Sequence, residues 1–329
     1  MKIFVSIASY QDPILKYTIK SIIENAKYKN DLVLGVFDQA EETLTDLPSN
    51  VRYKTCHPKE AKGCCWARST IQKELFEGED IFMQIDSHTL FAEDWDKNLL
   101  QKYEDCKNWF DKPLITGYPR GFDVIVKGQG FFNSDEEYIF KKTDKNTNTH
   151  VMTIHLPFND GYHSGQIGKG MNDNKYYRGF SLSAGLIFTE GNFVKEVPYD
   201  PRIYFSGEET TLAVRAYTHG YELVHVPDTP LWHWYNSDNQ ELKRELHWNM
   251  HEQDEELKKT KDEYIANAKV IVDNVLQGKD NLYGLGDKRT LKDFAGLSGL
   301  DYTNKSVQMD KCLFKEYEEA GFTLDDDFE

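Results

Sequence analysis

Residues 81–88 read Ile81-Phe82-Met83-Gln84-Ile85-Asp86-Ser87-His88. A short apolar run that ends on polar residues is the pattern of a buried strand delivering side chains at its carboxyl end. Strand side chains repeat every second position, so Asp86 and His88 are expected on one side. A carboxylate beside an imidazole suits a divalent cation of the manganese type, which accepts mixed oxygen and nitrogen donors. The plainer alternative is a strand-end turn whose Asp caps the next segment.

The same grammar extends outward. Ile3 to Ile7 reads as a buried strand, and Asp12-Pro13 as the N-cap and first position of a helix carrying Leu15, Ile19, Ile22, Ile23 and Ala26 on one face. Leu32 to Phe37 is a second strand ending at Asp38. Ala67, Ile71 and Leu75 mark a helix closed by Gly78. Strand alternating with helix predicts an α/β fold, a Rossmann-like, mostly parallel sheet flanked by helices. Ligands of such sheets bind beyond the carboxyl ends of the strands, where Asp12, Asp38 and Asp86 fall. From Gly121 to Gly170 the periodicity weakens, which predicts functional loops. Ser181 to Phe188 reads as a strand, Glu209 to Tyr217 as a helix capped by Gly220, and Leu223 to Val226 as a strand. After residue 240 the chain turns charged and helical, with Leu257, Tyr264, Ala268, Ile271, Val272 and Val275 on one face and Gly278 as the stop.

Composition limits the function. The 329 residues are ample for a large α/β core. A formal charge of −16 and a pI near 5.1 disfavour a general nucleic-acid binder. The cysteines Cys56, Cys64, Cys65, Cys106 and Cys312 show no zinc-type spacing, so reduced thiols are expected. No run is apolar enough for a signal-peptide core or a membrane span, which predicts a cytoplasmic protein.

Further motifs carry chemistry. Leu231-Trp232-His233-Trp234-Tyr235 sets a histidine among aromatics, fit either to complete a metal site or to sit hydrogen-bonded in an aromatic core. Phe205-Ser206-Gly207-Glu208-Glu209 places paired acids at a helix start, where the alternative is stabilisation of the helix dipole. Gly63-Cys64-Cys65-Trp66-Ala67-Arg68 puts Arg68 in a first helical turn, able to meet a diphosphate or brace an aspartate.

In order, Ser6-Ile7-Ala8-Ser9-Tyr10-Gln11-Asp12, Cys65-Trp66-Ala67-Arg68, Gln84-Ile85-Asp86-Ser87-His88, Glu196-Val197-Pro198-Tyr199-Asp200-Pro201, Gly207-Glu208-Glu209 and His233 resemble one family. It is the cytosolic polypeptide N-acetylglucosaminyltransferase family of the hydroxyproline-modifying type. The likeness runs from about residue 1 to 240, and Tyr283-Gly284-Leu285-Gly286 and Arg289-Thr290-Leu291 extend it. It departs at Cys64-Cys65, where a proline-bearing turn is expected, and between Gly121 and Gly170.

The resemblance implies a GT-A glycosyltransferase fold over residues 1–240, with acceptor-side loops at 121–170 and a helical C-terminal extension at 241–329. It implies a UDP-GlcNAc donor, a manganese-type cation and retention of anomeric configuration. Asp86, His88 and His233 would bind the metal. Ser9, Tyr10, Asp12, Trp66, Arg68, Asp86 and Trp232 would lie along the donor, and Glu208, Glu209 and Arg68 would act at the reacting sugar. The expected acceptor is a protein hydroxyl of hydroxyproline, serine or threonine. A second reading is a hydroxymethylated pyrimidine in DNA, approached by Lys127, Lys141, Lys142, Lys145 and Lys169. A third is a non-catalytic sugar-binding protein.

Overall fold

The computed structural model describes residues 1–126, 138–142, 148–152, 167–171, 175–235, 242, 244, 246–247, 255–307 and 315–317. In chain order the strands begin with β1 (Ile3–Tyr10), β2 (Leu32–Gln39), β3 (Val51–Cys56), β4 (Ile81–Asp86) and β5 (Thr89–Phe91). They continue with β6 (Pro113–Thr116), β7 (Arg120–Val126), β8 (Tyr138–Lys142), β9 (Asn148–Met152) and β10 (Ile167–Met171). The last are β11 (Tyr176–Gly179), β12 (Leu186–Glu190), β13 (Glu222–His225), β14 (Leu231–His233), β15 (Leu300–Asp301), β16 (Ser306–Val307) and β17 (Lys315–Tyr317). The helices that bear on the site are α1 (Leu15–Asn25), α2 (Cys64–Glu74), α3 (Trp95–Lys107), α4 (Phe193–Glu196) and α5 (Glu208–Thr218), followed by a long helix, Glu255–Leu276, and a short one, Leu291–Ser298.

The main sheet has 9 strands in the order β17-β11-β13-β6-β12-β4-β1-β2-β3. Only β12 and β11 run against the others, so the expected mostly parallel α/β sheet is present. Central β1 is held on both edges by parallel partners and buried on both faces, which is why Ile3 to Ile7 reads as a continuous buried run. Val5, Ile7, Met83 and Ile85 pack against α1 and α3 through Leu15, Ile19, Trp95 and Leu99. On the other face Phe4, Phe37 and Phe82 meet Ala67 and Ile71 of α2, Leu212 of α5 and Val272 of the long helix.

A smaller sheet, β5-β14-β7-β8, crosses the carboxyl end of the main one. It covers a satellite core of Ile14, Leu90, Phe122, Val124, Trp232 and Trp234.

Three local expectations shift. The first helix starts at Leu15, not at Pro13, because Asp12 Oδ1 accepts the Ile14 N–H (3.0 Å) in a turn of its own. The strand expected from Ser181 begins only at Leu186, since a turn joins the Leu186 N–H to the Ser183 carbonyl (3.2 Å). Within 121–170, the described residues form strands rather than loops: the end of β7, then β8, β9 and most of β10. Beyond residue 240 the chain is helical over Glu255–Leu276 and Leu291–Ser298. It also supplies β17 to the sheet edge and Ala268, Val272 and Leu276 to the main core.

Candidate functional site

Asp86 is the last residue of β4 and His88 lies two residues on, in the bend before β5. That bend is pinned from α1: Thr18 Oγ1 donates to the Ser87 carbonyl (2.7 Å) and accepts the Thr89 N–H (3.1 Å). Strand register brings in the third group. Antiparallel pairing sets His233 of β14 opposite Thr89, and the Trp234 N–H donates to the His88 carbonyl (3.0 Å). His233 Nε2 therefore lies 3.0 Å from Asp86 Oδ2, and His88 Nε2 lies 4.0 Å from the same oxygen. The ligand atoms of Asp86, His88 and His233 all fall within 4.8 Å of one another.

Each of these side chains is held by others. Asp12 accepts from Ser87 Oγ (2.7 Å) and contacts His88 Nδ1 (2.6 Å), which turns the other ring nitrogen toward Asp86. Burial alone would raise the Asp12 carboxyl; His88, Ser87 and the Ile14 N–H outweigh it and hold the group below the usual carboxylate range. Arg68 Nη2 donates to Asp86 Oδ1 (2.7 Å). Burial pushes His233 down to about 4 against the pull of Asp86, so its ring is neutral at pH 7, the form that ligates metals.

Behind Arg68 runs a buried chain of polar groups. Arg68 Nη1 donates to Glu208 Oε1, which also accepts from the Tyr199 hydroxyl (2.9 Å). Gln84 Nε2 donates in turn to Tyr199 (2.6 Å) and to the Ala184 carbonyl (2.9 Å). The polar Gln84 inside an apolar strand was a visible sign of such a network. Glu208 opens α5 because Gly207, at φ 91, takes the left-handed turn that precedes it. Any Cβ at Gly207 would lie 2.6 Å from Val272 of the long helix.

Glu209 points elsewhere from its neighbour, accepting the Ala184 N–H (2.8 Å). Burial raises its carboxyl to about 7; the Ala184 bond opposes this and the Glu208 charge adds to it. A cavity of about 530 Å³ is lined by Arg68, Asp86, His233, Glu208 and Glu209, with Tyr118 and Tyr235 at its wall. Gly185 also lines it, and a Cβ there would come 3.2 Å from Asp86 Oδ2.

The remaining sequence candidates separate. Ser9 is buried at the end of β1 opposite Asp38, and the Tyr10 ring meets His247 edge-on at 5.8 Å. Asp12 belongs to His88, as described. Trp66 lies not in this cavity but in a neighbouring one of about 520 Å³, beside Phe37, Lys62 and Tyr264. Trp232 is turned away altogether: alternation along β14 sends it to the satellite core, under Arg120 (4.6 Å) and Lys142 (4.1 Å). Of the lysines considered for a DNA acceptor, Lys142 is thus committed to Trp232, Lys141 is exposed on β8, Lys169 falls on β10, and Lys127 and Lys145 lie outside the described residues.

Sequence reading missed Arg244. Its Nη1 lies 2.9 Å from His88 Nδ1 and closer still to Nε2, while its guanidinium stacks on Trp234 (5.5 Å). Arg68 on Asp86 and Arg244 on His88 thus set positive charge beside both groups. The donor set fits a divalent ion: donors about 2.1 Å from an octahedral centre lie about 3 Å apart at adjacent positions, close to the Asp86–His233 spacing.

One solved structure shares this fold, and two further ones resemble it more loosely. GalNAc-T7 with UDP, GalNAc and Mn2+ matches with a TM-score of 0.50 at 15% identity, covering 89% of this chain and 54% of that one. The present chain therefore spans about half the length of that protein. S. aureus TarS 1-349 matches with a TM-score of 0.44 at 13% identity, over 82% of this chain and 70% of that one. The same TarS fragment with UDP-GlcNAc gives 0.42 at 15%, over 85% and 71%. No curated protein matches. A family model described as Glycosyltransferase (GlcNAc) matches residues 2–50 and 41–304.

Proposed function

The chain belongs to the glycosyltransferase (GlcNAc) family, and we propose that it moves N-acetylglucosamine from UDP-GlcNAc to a protein hydroxyl with retention of configuration. The observation that carries this reading is the convergence of Asp86, His88 and His233, two of which, Asp86 and His233, line the 530 Å³ cavity. These residues would hold a divalent cation, manganese by the chemistry of the donors. The ion supplies charge neutralisation for a departing diphosphate.

The protein's own groups have separable tasks. Asp12 fixes the tautomer and direction of the His88 ring. Arg68 orients Asp86 through its Oδ1 and leaves Oδ2 facing the histidines. Arg244, adjacent to His88, adds positive charge for the pyrophosphate. Glu208 is the counter-ion of Arg68 and sits behind it. Glu209, which faces the cavity from a separate hydrogen bond, is better placed to steady positive charge on the sugar or to orient its hydroxyls. The acceptor hydroxyl then attacks from the face that the phosphate leaves, and a phosphate oxygen takes its proton, so no strong protein base is needed. Hydroxyproline, serine or threonine fits the role of acceptor.

Calorimetric titration with UDP and Mn2+, beside mass measurement of UDP-GlcNAc turnover with and without hydroxyl-bearing peptides, tests the reading. Metal-dependent release of UDP is expected. Nucleotide binding indifferent to Mn2+, with no turnover of any UDP-sugar, would overturn it.

A further inference from the structure

Cys64 and Cys65 are the first residues of α2, at the point where Gly63, at φ 97, folds the preceding loop against Tyr204. Their sulfurs lie 3.8 Å apart, and Cys64 Sγ donates to Glu208 Oε2 at 2.9 Å. The two thiols and the carboxylate oxygen all fall within 4.8 Å of one another. Cys64 is half-buried and Cys65 is buried. None of these groups is a member of the Asp86, His88 and His233 cluster.

The spacing is that of a metal edge. Thiolates about 2.3 Å from a tetrahedral ion lie about 3.8 Å apart, so the sulfurs need no rearrangement to share one. A sulfur and an oxygen on the same ion lie about 3.5 Å apart, which asks the Glu208 oxygen to move outward by roughly half an ångström. From this geometry we infer that Cys64, Cys65 and Glu208 form a second cation site, selective for thiophilic divalent ions such as zinc and cadmium.

Softness separates the sites. Thiolate sulfur favours zinc and cadmium over manganese, while the carboxylate and imidazole cluster accepts manganese. Binding needs no oxidant: the ion forms a bond to each sulfur, and each thiol releases its proton to solvent. The site also communicates. Glu208 is the partner of Arg68, and Arg68 holds Asp86, so an ion that draws on Glu208 loosens the hold on Asp86. A thiophilic ion therefore inhibits sugar transfer without competing for the manganese ligands; this consequence rests on the function proposed above, and the binding does not.

Titrating the full chain with cadmium chloride separates the claims. Wild type is expected to develop the ultraviolet thiolate-to-cadmium band while releasing protons, and C56S, C106S and C312S are expected to keep it. C64S and C65S lose the band, with circular-dichroism melting used to establish that each variant is folded. A wild type with both thiols reduced and no band overturns the site, and so does a band that survives in a folded C64S/C65S double variant. Saturating cadmium should then cut manganese-supported transfer by about 10- to 100-fold, the usual cost of disturbing the partner of a metal ligand, and a chelator should restore it. A band without inhibition overturns the link from Glu208 to Asp86. If no UDP-sugar is turned over at all, the band still decides the site.

Discussion

The chain holds two clusters of side chains of metal-ligating chemistry on either side of one guanidinium, Arg68. Asp86, His88 and His233 come from β4, the bend after it and β14, and Asp86 and His233 line a cavity. Cys64, Cys65 and Glu208 come from the first turns of α2 and α5, and of these Glu208 lines the same cavity. The first cluster is braced from outside, by Asp12, Thr18 and Arg68. The second is braced from outside as well, by Arg68 and Tyr199 on Glu208, and within by the Cys64 bond to Glu208. A strand-end cluster takes its geometry from sheet register, which is rigid; a helix-end cluster takes it from side-chain packing, which has more play. The difference suits one to hold a reacting group and the other to adjust that hold.

Replacing Asp86 with alanine should break the comparison most severely. It removes the one oxygen near both imidazoles, and transfer is expected to fall by about a thousandfold or more, with Mn2+-dependent UDP binding lost in calorimetry. Asp12→Asn retains size and removes charge, so the His88 ring loses its anchor. Manganese affinity should weaken by about 10- to 100-fold with the fold intact by circular dichroism.

Gly185→Ala tests the reserve of space around the same oxygen. Its Cβ would sit 3.2 Å from Asp86 Oδ2, displacing it by a few tenths of an ångström. A rise of about tenfold in the manganese concentration needed for half-maximal transfer is expected; no change would mean that Asp86 has slack the structure does not suggest.

The smallest effect is on stability. Glu209 carries a folded-state carboxyl raised to about 7 from 4.5, so the native protein holds this proton more tightly than the unfolded chain. Its stabilising contribution is complete below pH 4.5 and is lost as pH rises through about 7. Glutamine at 209 cannot ionise, and should flatten that part of the stability profile in urea titrations by up to roughly 3 kcal/mol.

Legibility followed distance along the chain. The strand ending at Asp86, the helix after Gly63 and the acids after Gly207 were all readable, because each rests on neighbours a few residues away. Trp66, placed beside the donor by the resemblance, lines the neighbouring cavity, and Trp232, expected there from its aromatic company, packs in the satellite core. For Trp232 the cause is the two-residue alternation that brings His233 into the cleft. The role of Arg244 had no local signal, since nothing near it marks a partner 156 positions away.

By itself the sequence determined the α/β order and marked Asp86 and His88 as side chains two positions apart at a strand end, since hydrophobic period and residue chemistry are local properties. Only the tertiary structure decided that β5 pairs with β14 in the register that sets His233 opposite Thr89, and that Glu208 pairs with Arg68 while Glu209 accepts the Ala184 N–H. Those choices come from long-range pairing and packing, whose energies depend on which surfaces meet and leave no period in the chain.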